Sequence, residues 1–329
     1  MKLPIVDTHC DLLSYLASVP SADAFNSSDI ACSIPLMAAG NVKLQVMAIY
    51  NDVVAGSVAH AKKQADIFAS LAKNEQALTA ITSASDVIHL TSQKEIGMVA
   101  AIESAAGLCE ENMPLEETFK TLDYIIQKTG RVAYISLTHH GENRFGGGNY
   151  TQIGLKDDGR KLLDHLTGKQ IAVDLSHTSD LLAEGILEHL SKENLDIPII
   201  ASHSNFRALW NHPRNLPAEF VQEIIQRKGL IGINFLRAFL DNDVPERVFD
   251  HILYGFEHGA ADCLCFGADY FYTKNHPDKS RIPFYFPVVE DASCYPDILD
   301  ILAERGLSQR QLEALAYGNA QQFFERIWD

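Results

Sequence analysis

Several residues of metal-binding type sit where apolar runs of the sequence stop. Asp7, His9 and Asp11 close one run, and Glu103 closes another. His139 with His140, then His177, His203 and Asp269, close four more. Neutral imidazole and carboxylate oxygen are the usual Zn²⁺ ligands of hydrolases. His9 and Asp11 are two residues apart, so on an extended backbone they point the same way and can grip one ion. Glu103, His177 and His203 raise the ligand count beyond what one open catalytic zinc needs. A carboxylate can bridge two ions about 3.5–4 Å apart with a hydroxide between them. We therefore expect a two-zinc site in which His9 and Asp11 bind one ion, His177 and His203 bind the other, and Glu103 bridges. Its chemistry is hydrolysis by the bridging hydroxide.

Each residue taken alone has a plainer reading. A lone His among apolar residues is more often a hydrogen-bonded core residue, and an Asp after a strand is often a helix cap. Asp7 is read this way, as a cap or a support for its neighbours. His60, His89, His165, His189, His251 and His258 lie in or beside helical or polar stretches and are expected at the surface. Ser204 and Thr178 are expected to cap helices that start beside the site. Gly146-Gly147-Gly148 lacks the Lys-Ser/Thr of a phosphate loop and reads as the flexible tip, or lid, of a long loop.

Elements that could bring the candidates together are visible in the hydropathy. Eight short runs rich in Val, Ile, Leu and Ala cover 3–8, 42–50, 96–102, 132–138, 171–176, 197–202, 230–235 and 263–268. Continuous apolar runs suit strands buried on both faces of a parallel sheet. Between them lie helical patterns at 59–72, 115–128, 181–190 and 217–227, with Pro217 fit for a first turn. Ser308 and Gln311 form a capping-box signature before a C-terminal helical pair. Strand then helix, eight times, predicts a (β/α)₈ TIM barrel with a C-terminal helical extension, and a doubly wound open sheet is the rival. Nothing marks a domain boundary, so residues 1–329 are expected to form one catalytic domain. The connections 11–41 and 139–156 are long enough to hold extra structure. In a barrel the strand ends converge on one mouth, and six of the eight runs deliver His, Asp or Glu there.

Composition excludes some partners. The 43 Asp+Glu against 27 Lys+Arg give a formal charge of −16, unfit for a phosphate backbone or an anionic membrane. No apolar run approaches the roughly 20 residues of a membrane span. The N-terminal apolar stretch is too short for a signal sequence, and the six Cys lack any Cys-x-x-Cys pair. A soluble, cytoplasmic chain with free thiols is expected.

The ordered motifs resemble the membrane dipeptidase (renal dipeptidase) family of binuclear zinc peptidases, within the amidohydrolase-like barrels. They are Asp-x-His-x-Asp at Asp7 to Asp11, Ile102-Glu103, Leu137-Thr138-His139, and Gly154-Leu155 with Gly159. Val173-Asp174-Leu175-Ser176-His177, Ala201-Ser202-His203-Ser204 and His212-Pro213-Arg214-Asn215-Leu216 follow, then Phe266-Gly267-Ala268-Asp269 and Gly318-Asn319. The resemblance implies the same five zinc ligands, His9, Asp11, Glu103, His177 and His203. It also implies that His139 faces the scissile carbonyl oxygen, Arg214 holds the substrate carboxylate, and Asp269 handles the amine and the leaving-group proton. A planar guanidinium suits a carboxylate. The implied substrate is a free dipeptide, L-D forms included, and the implied assembly is a homodimer. The same ligands are compatible with an amidohydrolase for N-acyl amino acids, lactams or lactones, or with a metal-binding protein without catalysis. Two departures stand out. Ser104 follows Glu103 where the family usually has Gly, and Tyr270-Phe271-Tyr272 replaces a smaller turn beside the substrate pockets.

Overall fold

The computed structural model describes residues 2–274 and 276–329. Eight parallel strands follow the eight apolar runs: β1 (Ile5–Cys10), β2 (Val42–Tyr50), β3 (Ile96–Glu103), β4 (Val132–Ser136), β5 (Ala172–Asp174), β6 (Ile199–Ile200), β7 (Ile231–Ile233) and β8 (Leu264–Phe266). Every residue of β1 and β3 is buried, as continuous apolar runs require. The strand order is β7-β8-β1-β2-β3-β4-β5-β6. A parallel bridge between Ala201 and Ile231 joins β6 to β7 and closes the barrel. The open-sheet rival is thereby excluded. An extra strand, Leu78–Ala80, pairs with the start of β3 and has no counterpart in the sequence reading.

Two apolar layers hold the barrel. Inside, Val6, Leu44, Val46, Val99, Ala101, Ala133 and Ile200 pack together. Phe323, Phe324 and Trp328 of the last helix, Asn319–Trp328, join that cluster. Outside, helices bury one face each: Ser57–Asn74 through Ala61, Ala65 and Phe68, and Glu116–Thr129 through Leu122 and Ile125. Asp180–Lys192 and Ala218–Gln226 complete the predicted helical set. Pro217 stands just before the first turn of its helix. Ser308 and Gln311 make the reciprocal capping box expected of them. The connection 11–41 carries the short helices Leu12–Ser18 and Ile34–Ala39. All six cysteines are free thiols. Among the described residues no helix is long and apolar enough to cross a membrane.

Three local expectations fail. The glycine tip is not free: Gly146–Gly147 pairs with Glu142–Asn143 in a hairpin, and Gly146, Gly147 and Gly148 are buried. A side chain at Gly148 would collide with the His139 and His140 backbone, so glycine permits close approach here, not motion. Ser179, not Thr178, caps Asp180–Lys192, accepting from Leu182 N–H, while the Thr178 hydroxyl donates to Leu175 O.

His251 is the third failure, because it is buried in place of lying at the surface. Its Nδ1 accepts from Phe206 N–H at 3.2 Å, so its Nε2–H donates to Leu240 O at 3.2 Å. Helical periodicity put it on the inner face, and the two backbone partners make that burial tolerable. Replacing His251 with Leu leaves a buried N–H and C=O unpaired. Urea unfolding should show a loss of about 2–4 kcal/mol. A change under about 0.5 kcal/mol would contradict this bridging role.

Candidate metal centre

All eight strands deliver a polar group to one mouth. Beyond the six read from sequence, β2 ends in Tyr50, and Asn234 follows β7. The register of β1 slips between Asp7 and Cys10, setting three steps of β1 against two of β2 from Gln45 to Met47. Such a bulge re-aims side chains next to a site. Thr8 and His9 both reach across the barrel: the Thr8 hydroxyl meets Ser202 O and His9 Nδ1 meets the Tyr134 hydroxyl. Simple alternation along β1 does not produce that pair. Asp7 supports it, accepting from His9 N–H, Gln45 and the Tyr295 hydroxyl, in line with its reading as a supporting residue.

The five predicted ligands meet in two groups that share Glu103. His9, Asp11 and Glu103 form one, and Glu103, His177 and His203 the other, with ligand atoms within 4.8 Å of one another in each. Glu103 Oε2 is 3.4 Å from His9 Nε2, while its Oε1 is 3.0 Å from His177 Nε2 and 3.6 Å from His203 Nε2. The two oxygens thus face different groups. Asp11 Oδ2 is 3.8 Å from His9 Nε2. Asp269 Oδ1 lies equally far from it and forms a further group with His9 and His203. His139 and His140 gather with His177 on the cavity side.

Hydrogen bonds fix which nitrogen of the imidazoles is free. The Tyr134 hydroxyl donates to Thr8 O at 2.9 Å, so it accepts from His9 Nδ1–H at 2.7 Å. The lone pair of His9 is therefore on Nε2, which is buried and has no partner. Ser202 Oγ donates to Asp174 at 2.6 Å and accepts from His203 Nδ1–H at 2.6 Å, so His203 also presents Nε2. That Nε2 stands 3.0 Å from His177 Nε2. Lone pairs converging with buried carboxylates, and Asp11 Oδ1 buried without a donor, fit cations at both groups.

Burial shapes the electrostatics in the same sense. It pushes the Glu103 carboxyl up to about 8, against the pull of the Arg214 guanidinium. Burial raises Asp11 as well, with Glu103 adding to it, and takes Asp269 up to about 6. His139, His177 and His203 are driven well below the usual imidazole range, again chiefly by burial. Neutral imidazoles beside carboxylates that resist ionisation are what a cation site looks like before it is loaded.

Backbone strain marks the same places. Ser104, His177 and Asp269 have φ of 70°, 68° and 64°. Positive φ costs a side-chain-bearing residue energy, so glycine would be the easier choice at the position after Glu103. Here Ser104 accepts that conformation, and its hydroxyl is buried without a partner.

Asp174, Tyr134, Ser202 and Asn234 received no role from the sequence. Asp174 accepts from the Ser136 and Ser202 hydroxyls and from the Ser176 and Ser202 amides. A charge inside an apolar run was the available signal for it. Replacing Asp174 with Ala removes the acceptor that orients Ser202 and hence His203. Metal affinity measured by chelator competition should fall about 10–100-fold. Affinity within threefold of wild type would contradict this support role.

A cavity of about 520 Å³ opens above the candidate ligands. His139 and Asp269 line it. Tyr50 meets the His139 ring edge-on at 4.9 Å, and Asn234 donates to Asp269 Oδ2 at 2.8 Å. Arg214 is 3% exposed and lies behind His203, not on the cavity wall. Its Nη1 donates to Ser204 Oγ at 2.6 Å and its Nη2 to His203 O at 2.8 Å, while Nε is buried and unpaired. Ser204 is thus an anchor for Arg214 and not the helix cap expected. Of the bulky segment after β8, Tyr270 turns into the core and donates to Val289 O, whereas Phe271 and Tyr272 line the cavity.

Comparison with known proteins adds to this geometry. The model of a family described as membrane dipeptidase, peptidase family M19, matches residues 1–328. An uncharacterized dipeptidase of Schizosaccharomyces pombe is 29% identical over 209 residues, 60% of this chain and 46% of that protein. The chain thus spans about half the length of that relative. Among solved structures, dipeptidase AC, an M19 metallopeptidase, superposes with a TM-score of 0.84 at 19% identity, covering 100% of this chain and 99% of that one. A Rhodobacter sphaeroides metallopeptidase, liganded with a phosphinate mimic of L-Ala-D-Ala, gives 0.82 at 18% identity with both chains fully covered. These two likenesses establish a shared fold.

Proposed function

Because the chain belongs to the membrane dipeptidase family, we propose that it hydrolyses the peptide bond of free dipeptides with the aid of two metal ions, zinc by ligand type. The observation that carries this reading is Glu103, whose two carboxylate oxygens face two separate sets of donors. His9 and Asp11 would hold one ion, His177 and His203 the other, and Glu103 both. When bound, such ions supply Lewis acidity and a water of lowered pKa.

The chain's own residues do the rest. His139, neutral and on the cavity wall, donates an N–H to the carbonyl oxygen as it gains negative charge. Asp269, held by Asn234, binds the substrate ammonium, takes the proton that the attacking water gives up and passes it to the leaving nitrogen. Arg214, buried behind His203, sets a positive field that favours a carboxylate at that end. Opposite charges at the two ends select free dipeptides, since a longer chain would put an uncharged segment against one of them. A cavity of about 520 Å³ has room for a dipeptide.

A substrate panel on the zinc-loaded protein tests the reading. L-L and L-D dipeptides should be cleaved, and N-acyl amino acids, lactams and lactones should not. Turnover confined to the acyl compounds or lactones would replace dipeptidase by another amidohydrolase activity. Bound zinc with no turnover at all would leave a metal-binding protein.

A further inference from the structure

Arg281 is the one lysine or arginine among the described residues that line the cavity. It comes from the segment after β8, pinned on its C-terminal side by a bridge between Tyr285 and Leu236 and by Arg237 N–H donating to Phe284 O at 2.9 Å. Its guanidinium lies over the rings of Phe239 and Phe284, 5.7 and 5.5 Å from their centroids. Cation–π contacts of this kind hold the guanidinium in place and leave N–H groups for an acceptor.

Among the described residues no carboxylate makes a direct ion pair with this guanidinium. Arg144, Arg207, Arg227 and Arg247 each pair with a carboxylate. Asp278, three residues earlier, feels the Arg281 charge, but its Oδ1 accepts from the Ser280 amide and hydroxyl and it makes no direct ion pair with Arg281. Asp52, also on the wall, accepts from the Tyr50 hydroxyl at 2.6 Å. A positioned guanidinium with no direct ion pair among the described residues, facing a substrate-sized cavity, fits a carboxylate from the substrate.

The location narrows which carboxylate. Arg214 also lies over Phe239, 5.5 Å from the same ring. Arg281 therefore stands at the end of the cavity that the preceding reading gives to the substrate's C-terminal residue. We propose that Arg281 is a specificity residue that selects dipeptides whose C-terminal residue bears an acidic side chain. The inference rests on the dipeptidase reading and adds the substrate class. One residue would then carry two carboxylates into a corner with two guanidiniums.

The test compares kcat/KM of the metal-loaded protein for Ala-Glu and Ala-Asp, in L-L and L-D forms, with Ala-Gln and Ala-Asn. Wild type should prefer the acidic member by about 10–100-fold, the scale of a charge-assisted pair. In Arg281→Gln that ratio should collapse towards one, and in Arg281→Glu it should turn in favour of Ala-Lys. Because the readout is a ratio, a variant with partly lowered activity remains informative. No preference in wild type, or a ratio unchanged in Arg281→Gln, would overturn the assignment. So would an equal loss on acidic and neutral dipeptides, which would make Arg281 an α-carboxylate or structural residue. Hydrolysis of none of the dipeptides by wild type would instead overturn the dipeptidase reading.

Discussion

Replacing Glu103 with Gln should lower kcat for dipeptide hydrolysis by about 10³-fold, the upper range for removing one preorganised electrostatic group. The amide nearly matches the carboxylate in shape, so the fold is kept. What it lacks is the negative charge that both donor groups share. Metal content should fall with activity. Stability should move the other way in the metal-free protein. Glu103 ionises near 4.5 when unfolded and near 8 when folded. Between those values the unfolded chain binds fewer protons than the native one, so stability falls as pH rises through that window. Asp11 and Asp269, raised in the same direction, add to the slope. The Gln variant loses Glu103's part of it and should unfold at an equal or higher temperature than wild type at pH 8. Activity near wild type, or a variant markedly less stable than wild type without metal, would contradict the bridging assignment.

Replacing Asp269 with Asn should cost about 10²–10⁴ in kcat, the range for a general acid, with a smaller effect on metal content. This substitution is unusually clean. Asp269 has a φ of 64°, and Asn tolerates that region better than other side chains. Asn234 can keep its hydrogen bond by donating to the new amide oxygen. The variant therefore removes the proton transfer and the charge that holds the substrate ammonium, with little change of shape. A kcat within threefold of wild type would move the proton-transfer role away from Asp269, and loss of both metals would make it a ligand.

The sequence made the barrel legible because its strands are buried on both faces and read as unbroken apolar runs. The five candidate ligands were legible because their types are few and they recur at the ends of those runs. Asp11 and His9 also obeyed the expected proximity, although through a bulge and not through simple alternation. What stayed hidden depends on distances across the barrel. Tyr134 looks like one more apolar strand residue until its hydroxyl reaches His9. Asp174 and Ser202 sit inside recognisable motifs, but their effect on His203 is a three-residue relay that spacing does not reveal. Arg214 was read as holding the substrate carboxylate, and spacing could not show that its guanidinium is buried with Ser204 Oγ and the His203 carbonyl as partners. Arg281 attracted no reading at all, being one basic residue in a polar loop. Only the rings of Phe239 and Phe284 give it a position.

The central claim is that two metal ions held by these five side chains drive dipeptide hydrolysis. Titration of chelator-stripped protein with Zn²⁺, following hydrolysis of a dipeptide, tests it most directly. The stripped protein should be inactive, and activity should return and level off near two equivalents per chain. Hydrolysis that survives stripping, or that saturates at one equivalent, would contradict the binuclear account.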